Sequence, residues 1–328
     1  MVTLEQNLLT FHTDTDNLLH SCQISFQRTL RIPDDNQEYP LPPGLGHYPL
    51  LHVDDYRHRL PADWFTHGGV FFPMYQAEAM WISFSSLYPY AVKIGAGKIN
   101  AVTGKAWSNV LSDDPQDYLV VPDQDWLDGF SVGKGLIRQF IAMPLGDGFT
   151  AEEQITGKAE TGGLQICAYP MKKDYYDQWQ AELNKREDEI TFMRSASMVT
   201  EDSMGFAPGG LMRQKIYTDP HGIDAWDTTV MSRCFVHIIN SEQFVRVTGC
   251  APPQRPVSAS DYTRAGLPWF DLYDHDKPAV AGAPALCKLD SVATKMIKSG
   301  TALTDNAPVA PTQVVQLKQK GAVVDGQW

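Results

Sequence analysis

The sequence predicts an α+β fold, in the form of a single large domain that is predominantly β-sheet with a few packed helices. Residues 116–172 consist of strand-like apolar runs separated by glycine-rich connections. Several other segments alternate apolar and polar residues, and only a few have the three-four spacing of a helix. No internal repeat or change in composition divides the 328 residues. A folded chain of this length buries roughly 75% of its extended surface, so one hydrophobic core is expected.

The first 46 residues predict a helix, a strand and an extended connection. Thr3 and Gln6 have the spacing of a capping box, and apolar residues follow at helical spacing as far as Phe11. Residues 22–32 alternate apolar and polar side chains, as a half-buried strand does. Residues 39–46 are rich in proline and glycine, which predicts an extended path across the surface.

The middle of the chain predicts further strands. Residues 90–104 alternate and include two glycines, a pattern that indicates a twisted hairpin with close backbone approach. Residues 118–121 and 164–169 have the composition of buried strands. The apolar spacing of residues 136–143 satisfies a helix as well, but the flanking glycine and proline and the β-branched content favour a strand.

The clearest predicted helix begins near Asp174, which is a good N-cap residue. It places Tyr176, Trp179, Leu183 and Ile190 on one face. Beyond it we expect, in order, a loop over 201–210, a strand over 213–219, a stronger strand over 232–240, a short helix over 241–248, a capped helix after Ser258, and a last helix over 286–298 that ends at Gly300.

This pattern predicts three parts of the chain. Residues 1–21 form a helical N-terminal extension, residues 22–300 form one α+β globular domain, and residues 301–328 form a C-terminal tail. The tail has enough β-branched residues to add a strand to an exposed sheet edge. Two docking sites are open for it: the body of its own chain, or a neighbouring copy.

Composition excludes several classes of partner. The net charge is −12, without a Lys/Arg-rich run that would offset it locally, so nucleic acid and anionic membranes are poor partners. The apolar runs are too short to cross a membrane, and the N-terminus lacks the features of a secretory signal. Five scattered cysteines without a CxxC pair fit a reducing compartment. We expect a soluble cytoplasmic protein.

One short motif suggests catalysis. The segment 129–133, GFSVG, has the form of a serine-hydrolase nucleophile elbow around Ser131, and residues 65–69 resemble the oxyanion segment of lipases and esterases. Asp224 or Asp227, followed by His275, would complete the order of a triad. The polar residues before Gly129 do not form the strand that an elbow requires. The simpler interpretation is two glycine turns with a chance serine.

Acidic and histidine-rich segments give weaker hypotheses. His52, Asp54 and His58 could ligate a divalent metal if the segment were helical, but neighbouring arginines favour a solvated, ion-paired turn. The loop 219–227 is better explained by aspartates that cap backbone N–H groups. Residues 123–134 lack the ligand spacing of an EF-hand. No metal and no cofactor are therefore predicted.

His237 alternates with apolar neighbours along its predicted strand. A core histidine bonded to a neighbour is expected there, in preference to a metal ligand.

Three segments, 116–130, 137–166 and 205–227, resemble segments of a family of soluble bacterial proteins without an established activity. The resemblance runs from about Cys22 to about His275. It implies membership and brings no ligand, cofactor or catalytic residue.

Two functional hypotheses follow. The first is a non-enzymatic binding or self-assembling protein, with copies of the chain associating as a homo-oligomer through the tail, the N-terminal segment and the proline-rich connection. The alternative is an esterase-like serine hydrolase that uses Ser131.

Overall fold

A computed structural model describes residues 1–13, 20–183, 203–272 and 277–317. Its strands are β1 Val2–Glu5, β2 Leu8–His12, β3 Ser21–Thr29, β4 Glu38–Tyr39, β5 Gly44–His47, β6 Leu51–His52, β7 Val70–Met74, β8 Ala79–Ser86, β9 Tyr90–Ala96, β10 Ile99–Asn100, β11 Leu119–Val121, β12 Trp126–Leu127, β13 Gly129–Gly133, β14 Leu136–Pro144, β15 Leu164–Pro170, β16 Met204–Arg213, β17 Ser232–Asn240, β18 Trp269–Leu272 and β19 Val314–Leu317. Its helices are α1 Ala62–His67, α2 Ala151–Thr156, α3 Lys173–Leu183, α4 Ser241–Thr248, α5 Ala259–Arg264, α6 Pro284–Cys287 and α7 Val292–Lys298, with 3₁₀ turns at Val53–Tyr56 and Ile223–Ala225.

Strands β1 to β17 belong to one sheet of 17 strands, and β18 and β19 form a separate pair. The hairpin β1–β2 continues through β3 to β8, and β8 pairs with β14. Strand β14 pairs with β16, which meets β17 at one residue pair, and β15 joins β17 to β9. The predicted sheet-rich α+β fold is confirmed. Among the described residues, no helix has both the length and the apolar character needed to cross a membrane.

Strand β17 lies between two different neighbours. Antiparallel β15 pairs with its first half, from Ser232 to Val236. Parallel β7 pairs with its second half on the other side, starting at Val236 opposite Val70. Because β6, the turn Val53–Tyr56 and α1 precede β7 in the chain, these elements come to lie beside the start of that ladder. These elements form one wall of a cleft beside β17.

Two cations within the fold are neutralised internally. Arg28 on β3 lies 3.1 Å from Glu78 through Nε and Oε1, and it also donates to the carbonyl of Gln254. Burial raises the pKa of Glu78, and Arg28 opposes that shift. The Lys93 ammonium, whose side chain is only 1% exposed, lies 2.7 Å from Asp117 Oδ2. Removing one partner of such a pair leaves an uncompensated buried charge, so both pairs hold their strands in place.

The predicted N-terminal helix is wrong. Residues 2–12 form the hairpin β1–β2, which joins the large sheet through β3. Gln6 and Asn7 have φ of 50° and 64°, the positive values that a two-residue hairpin turn needs. Leu9 and Phe11 are buried, which is the two-residue period of a strand. Pairing in the large sheet therefore determines the conformation of this segment, although Thr3 and Gln6 have the spacing of a helix capping box.

The predicted loop over 201–210 is also wrong where the structure describes it. Residues 204–213 form β16, which pairs with β14. Its glycines allow close packing: a Cβ on Gly209 would lie 2.4 Å from Ile141 Cγ1, and one on Gly210 would lie 2.5 Å from Ile32 Cγ1. Glycines that indicated a loop are required by sheet packing. The strand expected over 213–219 is reduced to the end of β16 and one bridge at Tyr217.

Most other predicted elements are confirmed. Strands are present at 21–29, 90–100, 119–121, 136–144, 164–170 and 232–240, and helices at 173–183, 241–248 and 259–264. The proline-rich connection is extended and contains β4 and β5. The predicted last helix is divided, because Ser291 accepts from Thr294 N and caps α7 separately from α6. Ile190, expected on α3, lies outside the described residues.

The described part of the tail docks on its own chain. Strand β19 pairs in parallel with β18. Upstream, the Asn306 side chain accepts from Asp34 N at 2.8 Å and donates to Asp34 O at 3.2 Å. Residues 318–328 lie outside the described part. Association between copies stays a prediction.

Candidate ligand-binding cleft

A cleft of about 550 Å³ opens between the N-terminal hairpin, the first half of β17 and the segments that lead into β7. It is lined by Met1, Val2, Thr3, Leu4, Leu9, His52, Asp54, His67, Gly69, Val70, Met231, Ser232, Arg233, Cys234 and Phe235. The lining therefore combines apolar side chains with two histidines, one aspartate and one arginine.

The floor of the cleft is an incompletely paired strand. In the described chain, residues 232–235 of β17 have a ladder partner only in β15, because the ladder to β7 begins at Val236. The opposite edge of these four residues faces the cleft. Backbone N–H and C=O groups at such an edge are directed towards whatever occupies the space beside them.

Both ends of this open edge are closed by the fold. Gly69 has φ of 89°, and a Cβ there would lie 2.1 Å from the carbonyl oxygen of Phe235, so the close approach requires glycine. At the other end, the Ser232 hydroxyl donates to His12 O at 3.2 Å. The open edge is therefore short and bounded.

His237 supports the wall that carries Gly69. Its ring is buried, stacks on Trp64 with centroids 4.3 Å apart, and donates from Nε2 to Gly68 O at 3.0 Å. Burial lowers the pKa of His237 to about 4, with a smaller opposing effect from the Gly68 hydrogen bond. The predicted core histidine bonded to a neighbour is confirmed.

His67 covers one face of the floor. Its ring stacks on Phe235 with centroids 4.2 Å apart and an interplanar angle of 15°. Burial, with a smaller contribution from Lys98, lowers the pKa of His67. The ring is therefore a neutral, stacked imidazole at neutral pH.

Arg233 is a cation of the cleft that has no counterion among the described residues, and the Met1 ammonium in the same lining donates to His12 O and Ser232 Oγ. The Arg233 side chain is exposed and makes no hydrogen bond or ion pair to any residue that the structure describes. Asp54 in the same lining lies 3.7 Å from Arg57, and both side chains are largely exposed. The guanidinium of Arg233 thus remains available to an incoming anion, for which it is the best-suited side chain.

Only some of the candidate metal-ligating residues of the sequence lie in this cleft. His52 and Asp54 line the cleft beside His67, although they were singled out for a different reason, and His58 is not in the lining. Among residues 1–13, 20–183, 203–272 and 277–317, no group of three or more His, Cys, Asp or Glu side chains is placed to hold a metal ion. The exposed lining of the cleft is nevertheless more polar than apolar.

Ser131 lies elsewhere, in the middle of β13. It is 2% exposed, its N donates to Ala101 O, and its carbonyl accepts from Ala283 N. Strand β13 turns directly into β14, whereas an elbow needs a helix after the serine. A Cβ on Gly129 would lie 1.9 Å from Arg138 O, so strand packing explains that glycine.

The other candidate triad residues do not form a described arrangement with Ser131. Asp224 lies in the 3₁₀ turn Ile223–Ala225, and Asp227 accepts from Thr229 N at 2.9 Å. His275 lies outside the described residues.

The loop 219–227 has the capping role expected of it. Asp219 accepts from His221 N at 2.7 Å, from Trp226 Nε1 at 2.8 Å and from Tyr118 Oη at 2.6 Å. Its carboxylate therefore orders the turn and anchors two aromatic side chains.

Arg233 was missed by sequence reasoning. The strand over 232–240 was predicted, and the available signal was a single permanently charged side chain on that strand. Which strand edge stays open depends on the neighbours of β17, and these come from distant parts of the chain.

Comparison of the chain with protein-family models, with curated proteins and with solved structures found no match. The function is therefore inferred from the cleft itself.

The low pKa of His237 predicts acid sensitivity with a defined origin. Because the folded pKa of about 4 lies below the ordinary value of 6.5, stability is complete above about pH 6.5 and is lost as pH falls towards 4. Between pH 7.5 and pH 5 the protein should lose about 2 kcal/mol more unfolding free energy than His237→Gln, which keeps a donor for Gly68 O. Urea unfolding at both pH values measures this. Equal losses in the two proteins would contradict the assignment.

The burial of Ser131 predicts that it is unreactive. A fluorophosphonate probe should not label the intact folded protein, because the serine is shielded within a paired strand. Labelling is measured by intact mass, with Ser131→Ala as the matched control. Labelling that disappears in Ser131→Ala would show an activated serine.

Proposed function

We propose that this chain is a non-enzymatic binding protein that takes a carboxylate-bearing ligand in the cleft beside β17. The observation that carries the proposal is Arg233, an exposed guanidinium in the lining that has no counterion in the described chain. Arginine and carboxylate match in charge and in fork geometry.

The size and lining of the cleft support ligand binding. Its volume of about 550 Å³ falls within the range typical of sites for small ligands. Val70, Leu9 and the stacked Phe235 supply apolar surface, and Arg233 supplies one polar anchor. The exposed lining is more polar than apolar, so directional contacts with groups such as Arg233 orient the ligand and provide its specificity.

Two nucleophilic side chains of the lining, Cys234 and Ser232, support binding without catalysis, whereas a third, Thr3, has its Oγ1 2.8 Å from His12 Nε2. Burial raises the pKa of the Cys234 thiol to about 12, so it is protonated at neutral pH and a poor nucleophile. The Ser232 hydroxyl donates to the backbone carbonyl of His12, and no imidazole of the described residues is hydrogen-bonded to it. An activated serine would need such a base.

The proposal predicts saturable binding of a simple dicarboxylate. Glutarate, followed by NMR titration, should shift the backbone amides of residues 232–235 and of Gly69 and Val70. Arg233→Gln should weaken binding by about tenfold or more, because a hydrogen-bonded charge pair contributes roughly 1.5–3 kcal/mol.

Arg264→Gln is the matched control, because Arg264 lies on α5 in an exposed pair with Asp261 and not in the cleft. It should leave glutarate binding unchanged. Absence of saturable shifts, or the same affinity in Arg233→Gln and the parent protein, would refute the proposal.

A further inference from the structure

We infer that the ligand of the cleft is a short extended peptide segment with an acidic side chain, which pairs with the open edge of β17. The inference rests on the proposed function and specifies its ligand class. It adds to Arg233 a second observation, the one-sided pairing of residues 232–235.

The backbone of β17 matches an extended peptide. Four strand residues span about 13 Å, which matches at most about four residues of an extended peptide, because Ser232 and Phe235 lie at the closed ends. Backbone N–H and C=O groups that face the cleft need partners, and water or a ligand must supply them. A small dicarboxylate can bind the guanidinium of Arg233, but it lacks alternating hydrogen-bond donors and acceptors. An extended peptide has both, at the spacing of a β-strand.

The edge of residues 232–235 leaves space for one additional strand. Strand β7 already occupies the same side of β17 from Val236 onwards. Gly69 closes one end at Phe235, and the contact of Ser232 with His12 closes the other. A bound segment would fill the gap between β7 and the N-terminal hairpin. The bounded length favours a short segment over a long strand.

The side chains around the edge define a sequence preference. Successive residues of β17 point to opposite faces, so Arg233 and Phe235 share one face and Ser232 and Cys234 share the other. The first face carries the guanidinium and the His67 ring, so it fits an acidic side chain. Leu9 and Cys234 also line the cleft and are buried and uncharged. This part of the lining therefore suits an apolar side chain of the ligand. Alternation of acidic and apolar residues is therefore expected.

The test uses the full chain and calorimetry with four probes. The first is the blocked pentapeptide acetyl-Val-Glu-Val-Glu-Val-amide, and the second is its Gln analogue. The third is a pair of N-methylated forms of the first peptide, one methylated at the Val amides and one at the Glu amides. The fourth is glutarate.

Strand pairing predicts that the Glu peptide binds at least tenfold more tightly than glutarate. One of the two N-methylated forms should lose at least tenfold in affinity while the other retains it, because only alternate amides face the partner strand. The Glu peptide should bind about tenfold more tightly than the Gln peptide. In Arg233→Gln the two peptides should bind equally.

Three results would overturn the inference. If glutarate binds in an Arg233-dependent way and the Glu peptide binds no more tightly, the proposed function stands and the peptide ligand is wrong. If the Glu peptide is tighter but both methylated forms match it, pairing along β17 is wrong. If neither the peptide nor glutarate binds, the proposed function falls together with the inference.

Discussion

The unequal pairing of β17 is the constraint on which the cleft depends. Strand β15 holds the first half of β17, and β7 pairs only with the second half. Immediately before the ladder to β7, Gly69 lies against the carbonyl of Phe235 in a conformation that requires glycine. His237 fixes Gly68 through a hydrogen bond to its carbonyl. The open edge is thus a consequence of how the segment before β7 is anchored.

The distribution of charge gives the cleft its chemistry. The chain carries a net charge of −12, and the two most buried cations of its described part, Arg28 and Lys93, are neutralised by Glu78 and Asp117. Arg233 lies in register with Lys93 across Cys167 but has no such partner in the described chain. A free guanidinium in an acidic protein provides local attraction for a carboxylate.

Sequence patterns predicted much of the fold, because alternation in β3, β9 and β17 is strong and local. They failed where local signals conflicted with sheet pairing. The capping pattern at Thr3 indicated a helix, yet burial of Leu9 and Phe11 requires a strand. The glycines of β16 indicated a loop, yet they are needed for contact with Ile141 and Ile32.

The candidate site was less predictable than the fold. His52, Asp54 and His67 could be singled out from sequence, but for separate metal and oxyanion hypotheses. Their common position depends on the pairing of β7 with β6 and β17. The role of Arg233 depends on having no ion-pair partner among the residues that the structure describes, and no local sequence pattern indicates this.

Amide hydrogen exchange along β17 in the free protein tests the open edge most directly. Amides of residues 232–235 that face β15 should exchange slowly, whereas those that face the cleft should exchange at least a hundredfold faster, because opening of the structure is not required for them. Wherever residues 237–240 are paired with a strand on both sides, their amides should exchange slowly, whichever neighbouring strand they face. Uniformly slow exchange across residues 232–235 would show that the edge is already paired, and the cleft would then have no strand to offer.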